Sequence, residues 1–104
     1  MTDAAEETFP GLDAVIHPPN RLQICAMLNS AREVEFGRLR DHLGVSDSVL
    51  SKQVAHLADA GYVAQRKALK DSRHRVWLRL TARGRSAYQH HLIALRAILD
   101  SPQR

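Results

Sequence analysis

The stretch LGVSDSVLSKQVAHLADAGYV, residues 43–63, decides the fold. Leu50, Val54 and Leu57 fall at i, i+4 and i+7, the spacing of one buried helical stripe. Ser46 stands just ahead of them as an N-cap, where a side-chain oxygen can take a free N–H of the first turn. Gly44 sits at the end of the preceding element, the position that favours left-handed backbone. Gly61 closes the second helix. Upstream, Phe36, Leu39, Leu43 and Val45 form another amphipathic stretch. Helix, tight glycine turn, helix is a helix-turn-helix unit.

Working outward, Leu22, Ile24, Cys25 and Leu28 recur at helical spacing, which predicts a core helix over Arg21–Ala31. Pro18-Pro19-Asn20 suits its first turn, where the missing proline N–H costs nothing. Leu12, Val15 and Ile16 predict one short helical turn, broken at His17-Pro18-Pro19. Val34-Glu35-Phe36 reads as a minimal strand. Beyond the helix-turn-helix, Tyr62-Val63-Ala64 starts a strand. Val76, Leu78 and Leu80 alternate as a second strand with one buried face. Residues 67–75 between them read as a polar hairpin tip. Thr81 caps a long helix over 81–99, which Ser101-Pro102 stops. The expected organisation is a tail at 1–10, one mainly α domain with a small β-hairpin at 11–100, and a tail at 101–104.

Composition narrows the function. The net charge of +4 hides an asymmetry: residues 1–35 carry −4 and residues 36–104 carry +8. An acidic front and a basic body suggest a polyanionic partner for the body. One cysteine allows no internal disulfide, and no apolar run approaches the length of a bilayer span. The acidic start lacks the apolar core of a signal peptide, so a cytoplasmic location and no membrane partner are expected. There is no glycine-rich phosphate loop, no paired acid and base, and no nucleophile motif. No catalytic residue and no cofactor are expected, so the protein reads as a non-enzyme.

Residues 43–63 resemble the recognition unit of bacterial and archaeal winged-helix regulators, with their Leu-Gly turn, Leu-Ser, helix and Gly-Tyr-Val exit. Leu80-Thr-Ala-Arg-Gly-Arg85 is similar to the start of the final helix in that family. Ile16-His-Pro-Pro-Asn-Arg-Leu22 resembles the opening of a compact subgroup related to the MarR and ArsR repressors. The resemblance spans roughly residues 12–99. It implies a winged helix-turn-helix fold, dimerisation through terminal helices, and a transcription regulator of double-stranded DNA. Repression is the expected mode. It implies no particular effector, because effectors vary across the family.

With Leu50, Val54 and Leu57 inward, the helical step turns Ser48, Lys52, Ala55 and Asp59 outward, with Ser51 and His56 beside them. The N-terminal part of such a helix enters the major groove, so Asp47, Ser48, Ser51, Lys52 and His56 are candidate contacts. Gln53 lies nearer the core edge and reads adenine only if it points out. Asp47 also suits the helix N-terminus electrostatically. Residues 66–75 carry +4 within ten positions. Lys67, Lys70, Arg73 and Arg75 are therefore candidates for phosphates or the minor groove. Tyr88, Leu92, Leu95 and Leu99 recur like a coiled-coil seam and, with Leu12, Val15 and Ile16, are expected to face a second subunit. A winged helix that binds protein in place of DNA is the alternative; it should show a neutral wing and an apolar exposed face.

The remaining residues point less strongly. Cys25 reads as an inert core residue, since a redox role needs exposure and a low thiol pKa. His90 and His91 diverge by about 100° on a helix, so no metal site is expected within one chain. Trp77 is out of phase with Val76 and Leu78, which predicts packing on the last helix or the partner subunit.

Overall fold

The computed structural model describes residues 11–101. The tail expected at 1–10 and residues 102–104, Pro102 included, lie outside the described residues. The chain forms α1 (Pro19–Asn29), β1 (Val34–Glu35), α2 (Phe36–Leu43), α3 (Asp47–Asp59), β2 (Val63–Lys70), β3 (Arg73–Leu80) and α4 (Ala82–Leu99). The strands make one antiparallel sheet in the order β1-β3-β2.

Each element follows from its local chemistry. α1 starts at Pro19, two residues ahead of the expected start, because a proline at the first position forfeits only an N–H that has no helical partner. Gly44 ends α2 with φ +69°, a conformation that an L side chain resists. Ser46 then caps α3, its hydroxyl accepting the Val49 N–H at 3.2 Å. Ser46→Ala is expected to cost about 1 kcal/mol, read as a lower denaturant midpoint. An unchanged midpoint would mean that Ser48, whose hydroxyl lies 3.2 Å from that of Ser46, takes over the cap.

The hairpin differs from expectation. Residues 67–75 do not form an open tip. β2 and β3 pair over their full length, from Val63 with Leu80 to Lys70 with Arg73. Only Asp71 and Ser72 turn, with φ +53° and +64°. Two left-handed residues in a two-residue loop make a type I′ turn, whose twist matches that of the strands.

The core gathers one face of every element: Ile24, Cys25 and Leu28 of α1, Leu39 of α2, Leu50, Val54 and Leu57 of α3, and Leu78 and Leu80 of β3. Ile16 and Tyr88 join it, with exposures of 0% and 7%. This corrects the expected dimer seam, because both side chains are spent on the chain's own core. The Leu12–Ile16 segment is a hydrogen-bonded turn, closed by Ile16 and His17 N–H groups on the Asp13 carbonyl. Leu92 packs partly on the core, and Leu12, Val15 and Leu95 are half-buried. Ile93 and Leu99 remain exposed, at 65% and 71%.

The last helix is fixed to the start of the hairpin. Thr81 caps α4 by accepting the Gly84 N–H at 2.9 Å and donates its own hydroxyl to the Gly61 carbonyl. Its backbone N–H reaches the Tyr62 carbonyl at 3.0 Å. Gly84 is buried directly against that carbonyl, with no room for a side chain.

Candidate nucleic-acid interface

α3 presents a polar solvent face. Ser48, Ser51, Lys52, Ala55, His56 and Asp59 are all exposed, as the helical step requires. Val49 stands among them, 38% exposed. A valine outside the buried stripe was the signal that could have found it, and such a side chain suits a thymine methyl.

Two residues predicted for this face are engaged elsewhere. Gln53 is half-buried, and its side-chain oxygen accepts from Arg21 Nη1 at 2.9 Å. Arg21 Nε donates to the Val15 carbonyl, so Gln53 is held toward α1 and away from the solvent face. Asp47 accepts from Arg40 Nη1 at 2.9 Å, and Arg40 Nε also meets Asp41 at 3.0 Å. The two carboxylates hold the Arg40 guanidinium charged. Asp47 thereby braces the start of α3 against α2 as well as standing at the helix N-terminus.

The hairpin charge is partly neutralised inside the chain. Arg66 makes a two-point contact with Glu33 at 3.0 and 2.8 Å. That contact holds the Glu33 carboxyl below its ordinary pKa. Arg75 is paired with Glu35 of β1 and is half-buried, with a buried Nε that has no partner. Arg75 is therefore a strut between strands, contrary to its expected role as a free contact. Lys67, Lys70 and Arg73 are exposed and have no acidic partner among the described residues.

Trp77 does not pack on α4. It lies on the outward face of β3, opposite Arg66 and Glu35. The Arg66 guanidinium and the Lys70 ammonium stand 5.8 and 5.9 Å from its ring centre, at cation–π distance. A cleft of about 300 Å³ joins the two halves of the surface. Asp47 and Arg40 line it on the helix side and Arg73 on the hairpin side, with Gly37 of the first α2 turn between them. The start of α3 and Arg73 of the hairpin turn thus belong to one surface.

The other singled-out residues stay apart from it. Cys25 is fully buried, and burial with the nearby Asp13 charge pushes its thiol up to about 12. Neither requirement for a reactive thiol is met. His90 is exposed whereas His91 is completely buried. Among the described residues no group of three His, Cys, Asp or Glu is placed to hold a metal ion. No helix among them is long and apolar enough to cross a membrane.

Comparison with known proteins agrees with this geometry. Residues 20–99 match the family model described as a winged helix DNA-binding domain. The fold is similar to that of a transcriptional regulator homologue from Pyrococcus horikoshii OT3, with a TM-score of 0.78 and 26% identity over 83% of this chain and 85% of that one. HlyU from Vibrio cholerae N16961 is similar at a TM-score of 0.61 and 26% identity, covering 83% of this chain and 84% of its own. The transcriptional repressor BigR from Xylella fastidiosa is similar at 0.63 and 26% identity, covering 86% and 82%.

Proposed function

We propose, from the premise that this chain belongs to the winged helix DNA-binding family, that it regulates transcription by binding double-stranded DNA as a homodimer on a palindromic site. One observation carries the reading. α3 shows a polar face of Ser48, Ser51, Lys52 and His56, and its first residue, Asp47, shares a cleft with Arg73 of a hairpin whose Lys67, Lys70 and Arg73 have no acidic partner among the described residues. α3 lies in the major groove, where hydroxyls and Lys52 meet base edges. The hairpin follows the adjoining backbone, where its cations meet phosphates.

The homodimer reading rests on α4. Ile93 and Leu99 are exposed there, and Leu12, Ala14, Pro18 and Leu22 line an apolar groove beside the N-terminal turn. A second copy covers both surfaces. Two-fold symmetry then sets the α3 helices about 34 Å apart, one turn of DNA. Repression is the mode, in line with the name of BigR. The protein acts by occupancy, with no reaction of its own, in the cytoplasm.

The test is selection of duplexes from a random pool by the full chain, with competitor DNA and near-physiological salt. Enrichment of a palindrome with half-sites about one helical turn apart supports the reading. Binding without enrichment that vanishes as salt rises overturns it and leaves non-specific attraction.

A further inference from the structure

The buried His91 has no part in the interface, yet it is among the most tightly specified side chains of the fold. It is 0% exposed on α4. Its Nδ1 accepts the Asp13 backbone N–H at 2.9 Å. A neutral imidazole that accepts at Nδ1 carries its hydrogen on Nε2. Nε2 therefore donates to His17 Nδ1, 3.4 Å away, and is closed to a metal ion. His17 in turn carries its hydrogen on the far nitrogen.

The turn held by His91 reaches both DNA-facing elements. The Asp13 carboxylate accepts the Val15 N–H at 2.8 Å and the Tyr62 hydroxyl at 2.6 Å. Tyr62 stands between the end of α3 and the start of β2. Arg21 ties the Val15 carbonyl to Gln53 of α3. One short turn thus connects α4 to the root of the hairpin and to the recognition helix.

We propose that the Asp13–His91–His17 contact is a proton-operated latch, closed at neutral pH, whose opening on acidification frees the turn from α4 and lowers affinity for specific DNA. This inference rests on the DNA-binding reading above. A proton on His91 Nδ1 sets N–H against the Asp13 N–H. That proton removes the acceptor that the buried Asp13–His91 contact requires.

The surroundings favour the closed form. Burial, and then the charge of His17, hold His91 below the ordinary histidine value of 6.5, against the opposite pull of Asp13. The cysteine and the tyrosines around the latch stay neutral in this range, and the Arg21 guanidinium on the Val15 carbonyl stays charged. Burial pushes Cys25 of α1 to about 12, and the hydrogen bond to Asp13 pushes Tyr62 to about 12. Tyr88, one turn back on α4, is also raised by burial. The unfolded chain takes the His91 proton more readily than the folded one. The latch is therefore fully stabilising above about pH 6.5 and weakens as pH falls through and below that value.

The test compares the full chain with His91→Gln, whose amide accepts and donates but takes no proton. Protonation of exposed histidines strengthens DNA binding in both proteins alike. The latch adds a loss that only the wild type suffers. Between about pH 7.5 and about pH 5.5 the ratio of wild-type to variant Kd on the selected duplex should rise about tenfold. A constant ratio overturns the proposal. NMR titration of the wild type provides the arm that needs neither DNA nor a folded variant. The Asp13 amide should shift along the same curve as the His91 ring; an Asp13 amide that stays still while His91 titrates overturns the latch. A protein that selects no duplex at any pH overturns the DNA reading instead, and the NMR arm alone then decides the latch.

Discussion

Gly84→Ala should lower the thermal unfolding midpoint by roughly 12–24 °C, the equivalent of about 3 kcal/mol in a domain of this size. Helix propensity alone predicts the opposite sign, since alanine gains about 1 kcal/mol over glycine inside a helix. Packing decides against it. A Cβ on Gly84 would lie 2.0 Å from the Tyr62 carbonyl oxygen and 2.8 Å from two further backbone atoms of that residue. The obstacle is backbone, which cannot rotate aside as a long side chain would. The carbonyl is also fixed by the Thr81 N–H, and the Tyr62 hydroxyl by Asp13. Relief requires α4 to lift from the hairpin root. Circular dichroism melting of the purified variant measures the effect, and a midpoint equal to or above wild type would refute the close approach.

Neutralising Lys67 and Arg73 together should weaken binding to every duplex and flatten its salt dependence. Each phosphate neutralised contributes about 0.9 to the slope of log K against log salt, so the double alanine variant loses about two units per protomer. These two cations are the appropriate pair because neither has an acidic partner among the described residues, whereas Arg66 and Arg75 are already committed to Glu33 and Glu35. Lys52→Ala provides the contrast. Deleting an ammonium that reads a base edge from the recognition helix costs about 1–3 kcal/mol on the selected duplex and little on random DNA. Titrations at several salt concentrations separate the two patterns. An unchanged slope in the double variant would remove the hairpin from the phosphate path.

The helix-turn-helix unit was legible because its signals are local. Leu50, Val54 and Leu57 mark a face, Ser46 a start and Gly44 a stop, and each lies within one or two helical turns of the next. Gly84 was legible only as part of a pattern; the reason for it needs the Tyr62 backbone, which the chain brings back across 22 positions. The wing ion pairs depend on register. Glu33 meets Arg66 and Glu35 meets Arg75 only once β1 has paired with β3 and β3 with β2, so a sum of charges along residues 66–75 overstated what is free. Ile16 and Tyr88 show the limit of periodicity, which marks a side as apolar without saying which surface covers it. His91 was hidden for a related reason. A histidine beside a histidine reads as a polar pair, and only the incoming turn at Asp13 determines which of the two is buried.

The sheet order gives the hairpin cations a second consequence. β2 is an outer strand, so one side of its eight-residue ladder has no neighbouring strand among the described residues. A straight, uncovered edge of that length invites a strand from another molecule and is a route to aggregation. Arg66, Lys67 and Lys70 all lie on it and repel a like-charged copy. Lys67 and Lys70, proposed above to meet phosphates, thus also keep the strand from templating its own kind, and variants that discharge them carry a solubility cost separate from any loss of DNA affinity.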